Sequence, residues 1–158
     1  MFFQYETPRL LLKVLRADCA PQVLDFYNRD KELFEMYEID RVPDFYTVKH
    51  LQKVLRYEYN MAVKSQLFRF YVFKKENPCR IIGTVCIHNI APAFYGSCEI
   101  GYKFSSEFHH MGYATEAVGF CTKLAFNELR MHKVTAVVHP GNCLLYTSPS
   151  PRDAHESR

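Results

Sequence analysis

The residues best suited to chemistry lie in one run, from Glu99 to Ala117. Beyond it, apolar side chains recur at Ala114, Ala117, Val118, Cys121, Leu124, Ala125 and Leu129, the stripe of an amphipathic helix. A helix beginning near Ala114 leaves its first backbone N–H groups without partners. Its dipole adds about half a positive charge at the same end. Such an end can hold a phosphate if the backbone comes close enough. Gly112 has no Cβ to block that approach, and Ala114 is the next smallest choice. Tyr113 can turn its ring away, while His109 and His110 offer side-chain donors. A glycine before a helix more often serves only as a turn or cap, so this feature alone indicates a generic anion site.

The elements that must position this loop follow from periodicity. Cys98 to Phe104 reads as a strand entering the loop, and Lys133 to Val138 as a strand leaving the helix. A strand, glycine turn, helix and strand in succession form a crossover, which makes the two strands parallel neighbours. Upstream, Phe68 to Phe73 and Arg80 to Ile90 read as strands joined by a polar turn at Lys74 to Pro78, continuing into an antiparallel meander. Leu10 to Arg16 is a further strand. Helices are expected over Ala20 to Tyr27, with Pro21 in the first turn, briefly at Leu33 to Met36, and after Thr47, where Val48, Leu51, Val54, Leu55, Tyr59 and Ala62 repeat at threes and fours. The fold class is α+β, a mixed and mostly antiparallel sheet flanked by helices. Alternation puts Cys98, Ile100, Tyr102 and Phe104 on one face of their strand and Glu99, Gly101 and Lys103 on the other.

The order of these elements, with His109-x-x-Gly112-x-Ala114 followed by Thr115-Glu116-Ala117, resembles the Gln/Arg-x-x-Gly-x-Gly/Ala signature of the GCN5-related N-acetyltransferase (GNAT) superfamily. The opening Glu6-Thr7-Pro8-Arg9-Leu10-Leu11-Leu12, the strand Cys98-Glu99-Ile100-Gly101-Tyr102 and Val137-Val138-His139-Pro140-Gly141-Asn142 are similar to its RimJ/RimL-type, ribosomal-protein branch. The resemblance spans Tyr5 to Asn142. It implies a V-shaped split between the parallel strands 98–104 and 133–138, with acetyl-CoA as cosubstrate lying in it. The pyrophosphate would rest on the amides of Met111 to Thr115, including Gly112, Tyr113 and Ala114. The pantetheine arm would pair with the backbone of Tyr102, Lys103 and Phe104, as an added strand does. Asn142 would bond that arm, or serve as a loop residue after Pro140-Gly141. His109 stands where the family usually has Gln or Arg, which keeps a donor but loses a permanent charge.

Moving an acetyl group to an amine requires an amine without its extra proton, a polarised thioester oxygen and a reprotonated thiolate. Glu99 is the candidate base, acting directly or through water. It can equally orient the substrate's ammonium, or be a solvated or ion-paired strand residue. His88 is a strand-end histidine or faces the acceptor. The acceptor is expected to be a primary amine, of a protein N-terminus or a small molecule. Asp25, Asp30, Glu32, Glu35, Glu38, Asp40 and Asp44 would make either an acidic mouth for it or a solvated helix surface. The alternative is a non-catalytic acyl-CoA sensor, which has no need of Glu99. A nucleotide-binding crossover is disfavoured, because GxGxxG and a P-loop lysine are lacking.

The bulk composition agrees. With 158 residues, 13 Phe and 11 Tyr, one domain with a sizeable core is expected. A net charge of +3 is too small to mark a nucleic-acid binder. No apolar run approaches the ~20 residues that span a bilayer, so no membrane partner is expected. The six cysteines have no zinc spacing, which argues against a metal. Cys86, Cys98 and Cys121 fall in apolar segments and read as small buried hydrophobes, in keeping with a reducing cytoplasm. The family's domain continues past Asn142 with a helix and a hairpin, a region that typically supplies the group protonating the thiolate. Here Cys143 to Asp153 resembles translated sequencing-adapter read-through. Residues 5–142 are therefore read as a domain incomplete at its C-terminus and 143–158 as a non-native or disordered tail, leaving Lys133–Val138 as an open edge.

Overall fold

The computed structural model describes residues 1–35, 44–91, 94–137 and 146–149. Seven strands form one sheet in chain order: β1 (Gln4–Glu6), β2 (Leu10–Lys13), β3 (Phe68–Lys74), β4 (Asn77–His88), β5 (Ser97–Phe104), β6 (Lys133–Val137) and β7 (Tyr146–Pro149). All neighbours are antiparallel except β5 and β6, which run parallel. Helix α4 (Tyr113–Asn127) makes the crossover between those two. The expected α+β class and its parallel pair are the observed ones.

Each face of the sheet has its own core. On one, α4 lays Ala117, Val118, Cys121, Leu124 and Ala125 over Phe68, Phe70, Val85, Ile87, Ile100 and Phe104. On the other, α1 (Ala20–Arg29), α2 (Lys31–Glu35) and α3 (Val48–Val63) cover Tyr71, Phe73 and Ile81 with Val23, Phe26, Phe34, Leu51 and Leu55. The period-2 alternation of β3 feeds both layers, which is why it reads as an unbroken aromatic run. A register shift between Val72 and Phe73 skips Ile82, which joins Val85 and Ile87 in the first core while Ile81 goes to the second. Thr47 caps α3 by accepting the His50 N–H at 3.1 Å, as its type predicts. Val48, counted in the apolar stripe, is 36% exposed, and Glu58 is buried on that helix instead.

Two elements differ from expectation. Strand β1 alternates over only three residues, too short a run to read as a strand, and it pairs with the edge that β2 offers. Residues Tyr146–Pro149 are a strand rather than irregular tail, and they pair antiparallel with β6 from Ala136↔Tyr146 to Lys133↔Pro149. The edge of β6 expected to be open is thus paired over these four residues. An unpaired row of N–H and C=O groups accepts any extended segment that reaches it.

Candidate active site

The loop after β5 is built from short-range and very long-range contacts together. Asp30, just past α1, accepts from Ser106 N at 2.9 Å and Ser106 Oγ at 2.7 Å, which fixes a single 3-10 turn at Ser106–Phe108. The chain then bends through two left-handed residues, His110 (φ 64°) and Gly112 (φ 81°). Gly112 caps α4 without any side-chain bond, and Glu116 N is the first amide to donate back, to Gly112 O at 3.0 Å. The amides of Tyr113, Ala114 and Thr115 therefore belong to the unpaired first turn.

Arg9 holds this loop from behind. Its Nε bonds Glu116 Oε1 at 2.7 Å, its backbone N bonds Glu116 Oε2 at 2.9 Å and its Nη1 donates to Met111 O at 3.1 Å. Thr7 Oγ1 donates to the same carboxylate. The Arg9 guanidinium also lies 4.4 Å over the Tyr113 ring, which packs against Phe108 and so points away from the first-turn amides. Burial pushes the Glu116 carboxyl up, but the bonds from Thr7 and Arg9 outweigh it and hold the group below the usual carboxylate range. The charge that would repel an anion at this helix end is thereby paired.

The expected side-chain donors behave differently. His109 Nε2 lies 2.9 Å from Phe104 O, so that nitrogen is held at the end of β5. His110 and Met111 are exposed at the loop's tip. Parallel pairing runs from Ser97↔Lys133 to Gly101↔Val137, the last described residue of that stretch, while β5 continues through Tyr102, Lys103 and Phe104, held on its other edge by Val85, Thr84 and Gly83. Asn142 lies outside the described residues, as do Glu38 and Asp40.

Beside β5, on the face away from α4, a cavity of about 680 Å³ is walled by residues that include Tyr57, Arg69, Cys86, His88, Gly101 and Lys103. Glu99 stands opposite His88 in the β4–β5 register. Asn89 Nδ2 donates to Glu99 Oε2, and His88 Nδ1 lies 4.0 Å from that oxygen. Below them, buried Glu58 accepts from Tyr71 Oη at 2.8 Å and pairs with Arg69 Nε at 2.6 Å. Burial alone pulls the Lys103 ammonium down to about 8, and its Nζ lies 5.3 Å from the centre of the Tyr27 ring. Burial likewise lowers His88, with Arg69 adding to the effect and Glu99 opposing it.

Of the acidic residues considered for the acceptor's mouth, Asp25 pairs with Arg29, Asp30 holds Ser106 and Asp44 lies by His50. The charged walls of the cavity, among the described residues, are Arg69, His88 and Lys103. Lys103, expected with its neighbours at the cofactor, turns its side chain to this cavity. Cys86, Cys98 and Cys121 are buried, and burial pushes the Cys98 thiol up to about 11, an inert group. Periodicity could not reveal Arg9, Thr7, Asp30, Asn89 or the Glu58–Arg69–Tyr71 network. Only Thr7-Pro8-Arg9 had a signal, as a motif without an assigned role. No cluster of metal ligands occurs among the described residues.

A family model described as an acetyltransferase (GNAT) domain matches residues 9–143. The Probable N-acetyltransferase YjcK of Bacillus subtilis (strain 168) is 28% identical over 133 residues, 84% of this chain and 73% of that protein. The ribosomal-protein-S5-alanine acetyltransferase from Vibrio fischeri superposes with a TM-score of 0.79 at 22% identity, covering 89% of this chain and 76% of that one. Mycobacterium smegmatis RimJ, in complex with CoA-disulfide, superposes with a TM-score of 0.68 at 18% identity, covering 85% and 64%.

Proposed function

This chain belongs to the GNAT acetyltransferase domain family, and from that membership we propose that it moves the acetyl group of acetyl-CoA directly to a primary amine, of a protein N-terminus or a small molecule. One observation carries the proposal: β5 passes the cavity at Gly101 and leads through the loop into the bare first turn of α4 at Gly112. These features suit the three parts of acetyl-CoA in turn. Its pyrophosphate would lie on the amides of Met111 to Thr115, with Arg9 neutralising Glu116 behind them. Its pantetheine arm would pair with the backbone of Tyr102, Lys103 and Phe104, as an added strand does. The thioester, which supplies the activated acetyl group, would then reach Gly101 at the cavity wall.

On this reading Glu99 serves the acceptor side, as base or as the group that orients the amine. The N–H groups near Gly101 would polarise the thioester oxygen. No cysteine takes part, since both substrates meet in one site and the buried thiols are held protonated. The free thiols also fit a reducing compartment such as the cytoplasm. The test is release of the CoA thiol from acetyl-CoA against a panel of amines that includes short peptides with free N-termini. Turnover with at least one amine is expected. Measurable CoA binding with transfer to none of them would replace this reading with that of a non-catalytic acyl-CoA sensor.

A further inference from the structure

Three observations meet where β4 passes β5. The register sets His88 opposite Glu99, with His88 Nδ1 4.0 Å from Glu99 Oε2. Asn89, in the left-handed conformation (φ 49°), turns its amide to donate to the same carboxylate oxygen. The far ring nitrogen, His88 Nε2, lies 3.5 Å from the point where a Cβ would stand on Gly101. His88 and Gly101 both wall the cavity, whereas Glu99 stands behind them.

From this arrangement we infer that His88 is the residue that takes the acceptor's proton, and that Glu99 is its positioning residue. The inference rests on the acetyl transfer proposed above. A carboxylate beyond Nδ1 favours the tautomer with the proton on Nδ1 and leaves the Nε2 lone pair free. That nitrogen lies at ordinary contact distance from the point a Gly101 Cβ would occupy, and both residues border the cavity that would admit the amine. Glu99 already accepts from Asn89 and is not among the residues that line the cavity.

The step balances. As the amine nitrogen bonds the acetyl carbon, Nε2 accepts one proton from that nitrogen. The carbon–sulfur bond breaks and its electron pair leaves on sulfur. The proton on Nε2 passes to that thiolate, directly or through water, and the imidazole is neutral again. The groups facing His88 are Glu99 and Lys103 on β5, Arg69 on β3, Cys86 on its own strand and Tyr57 on α3. Burial and Arg69 keep the ring neutral, while Glu99 pulls the other way.

The experiment measures kcat, KM and pH dependence of thiol release from acetyl-CoA, with an amine from the panel that the wild-type chain acetylates. If it acetylates none, the functional reading fails before this one is reached. Otherwise wild-type kcat/KM should rise with pH through an inflection below 6.5, the ordinary histidine value. His88→Gln should lower kcat about 100-fold, the low end for loss of a general base, erase that inflection and leave CoA affinity unchanged. Glu99→Gln should lower kcat roughly 10-fold and move the inflection to still lower pH, because the opposing charge is gone. Normal CoA binding certifies that each variant is folded, and His88→Asn replaces His88→Gln if the latter is not. A His88 variant that keeps wild-type kcat and inflection, or a Glu99→Gln chain that alone loses the inflection, overturns the inference and returns the role of base to Glu99.

Discussion

Gly112 and Arg9 serve the same loop from opposite sides. Gly112 sits at φ 81°, and a Cβ there would meet Arg9 Nη2 at 3.2 Å. Gly112→Ala therefore combines left-handed strain with crowding of the guanidinium. Denaturant unfolding should show a loss of about 1–2 kcal/mol. Calorimetric titration should show CoA affinity reduced by roughly 10-fold, because the added methyl obstructs the backbone that a phosphate must approach. Arg9 acts through Glu116. Its side chain is 47% exposed, so the ion pair adds little to stability. Its removal leaves the Glu116 carboxylate without a counter-charge in the first turn of α4. Arg9→Gln should raise the CoA dissociation constant by about 10-fold, a helix-end charge effect plus the lost bond to Met111, while the melting temperature moves by only a few degrees. Adding Glu116→Gln should restore most of the affinity. An unchanged double variant would show that Arg9 works by shaping the loop and not by neutralising charge.

At the scale of elements, the end of β5 is set by its neighbour β4. The Phe104 ring lies directly over Gly83, its register partner, where a Cβ would come within 2.4 Å of the ring. Phe104 in turn carries the carbonyl that His109 bonds and begins the bend into the loop. Gly83→Ala must push Phe104 off its seat. Overpacking of this kind costs about 1–3 kcal/mol, read as a lower urea midpoint at unchanged slope. It should also weaken CoA binding, because the run Tyr102–Phe104 moves with the ring. The strand and the loop were both readable from alternation and from Gly112. Their coupling through Gly83 was not, since a glycine inside an apolar strand gives no sign of what lies across from it.

The whole molecule divides its tasks between the faces of the sheet. The α4 face is almost wholly apolar, while the face under α1, α2 and α3 buries Glu58, Arg69, Lys103 and His88 near the cavity. Lys103 makes that choice measurable. Folded, it titrates at about 8 against an ordinary 10.5, so between those values the unfolded chain holds a proton that the folded chain has released. Stability from this group therefore rises with pH across that window, and its cost is fully present below about 8. Thermal melts of Lys103→Met against wild type should show the variant more stable at pH 7, by roughly 3 °C, with the difference shrinking by pH 10. A variant less stable at every pH would mean that the contacts of Lys103 with Tyr27 and Phe34 outweigh its burial.

What the sequence determined by itself was everything carried by a local period or a local conformational need. The α4 stripe, the alternation of Glu99, Gly101 and Lys103, the buried cysteines and the left-handed Gly112 depend on near neighbours along the chain, so their signals lie within a few residues. The family signature extended that reading to acetyl transfer. The tertiary structure alone decided which side chains share a site. Arg9 reaches Glu116 across 107 positions, and Ser106 reaches Asp30 across 76. His88 meets Glu99 only because the β4–β5 register pairs them. His109 turned to Phe104 O because a strand-end carbonyl lay within reach. The cavity has basic walls because strand pairing gathered Arg69, His88 and Lys103 onto one face. Register and the choice of face are set by the packing of distant apolar residues, and no window along the chain contains that information.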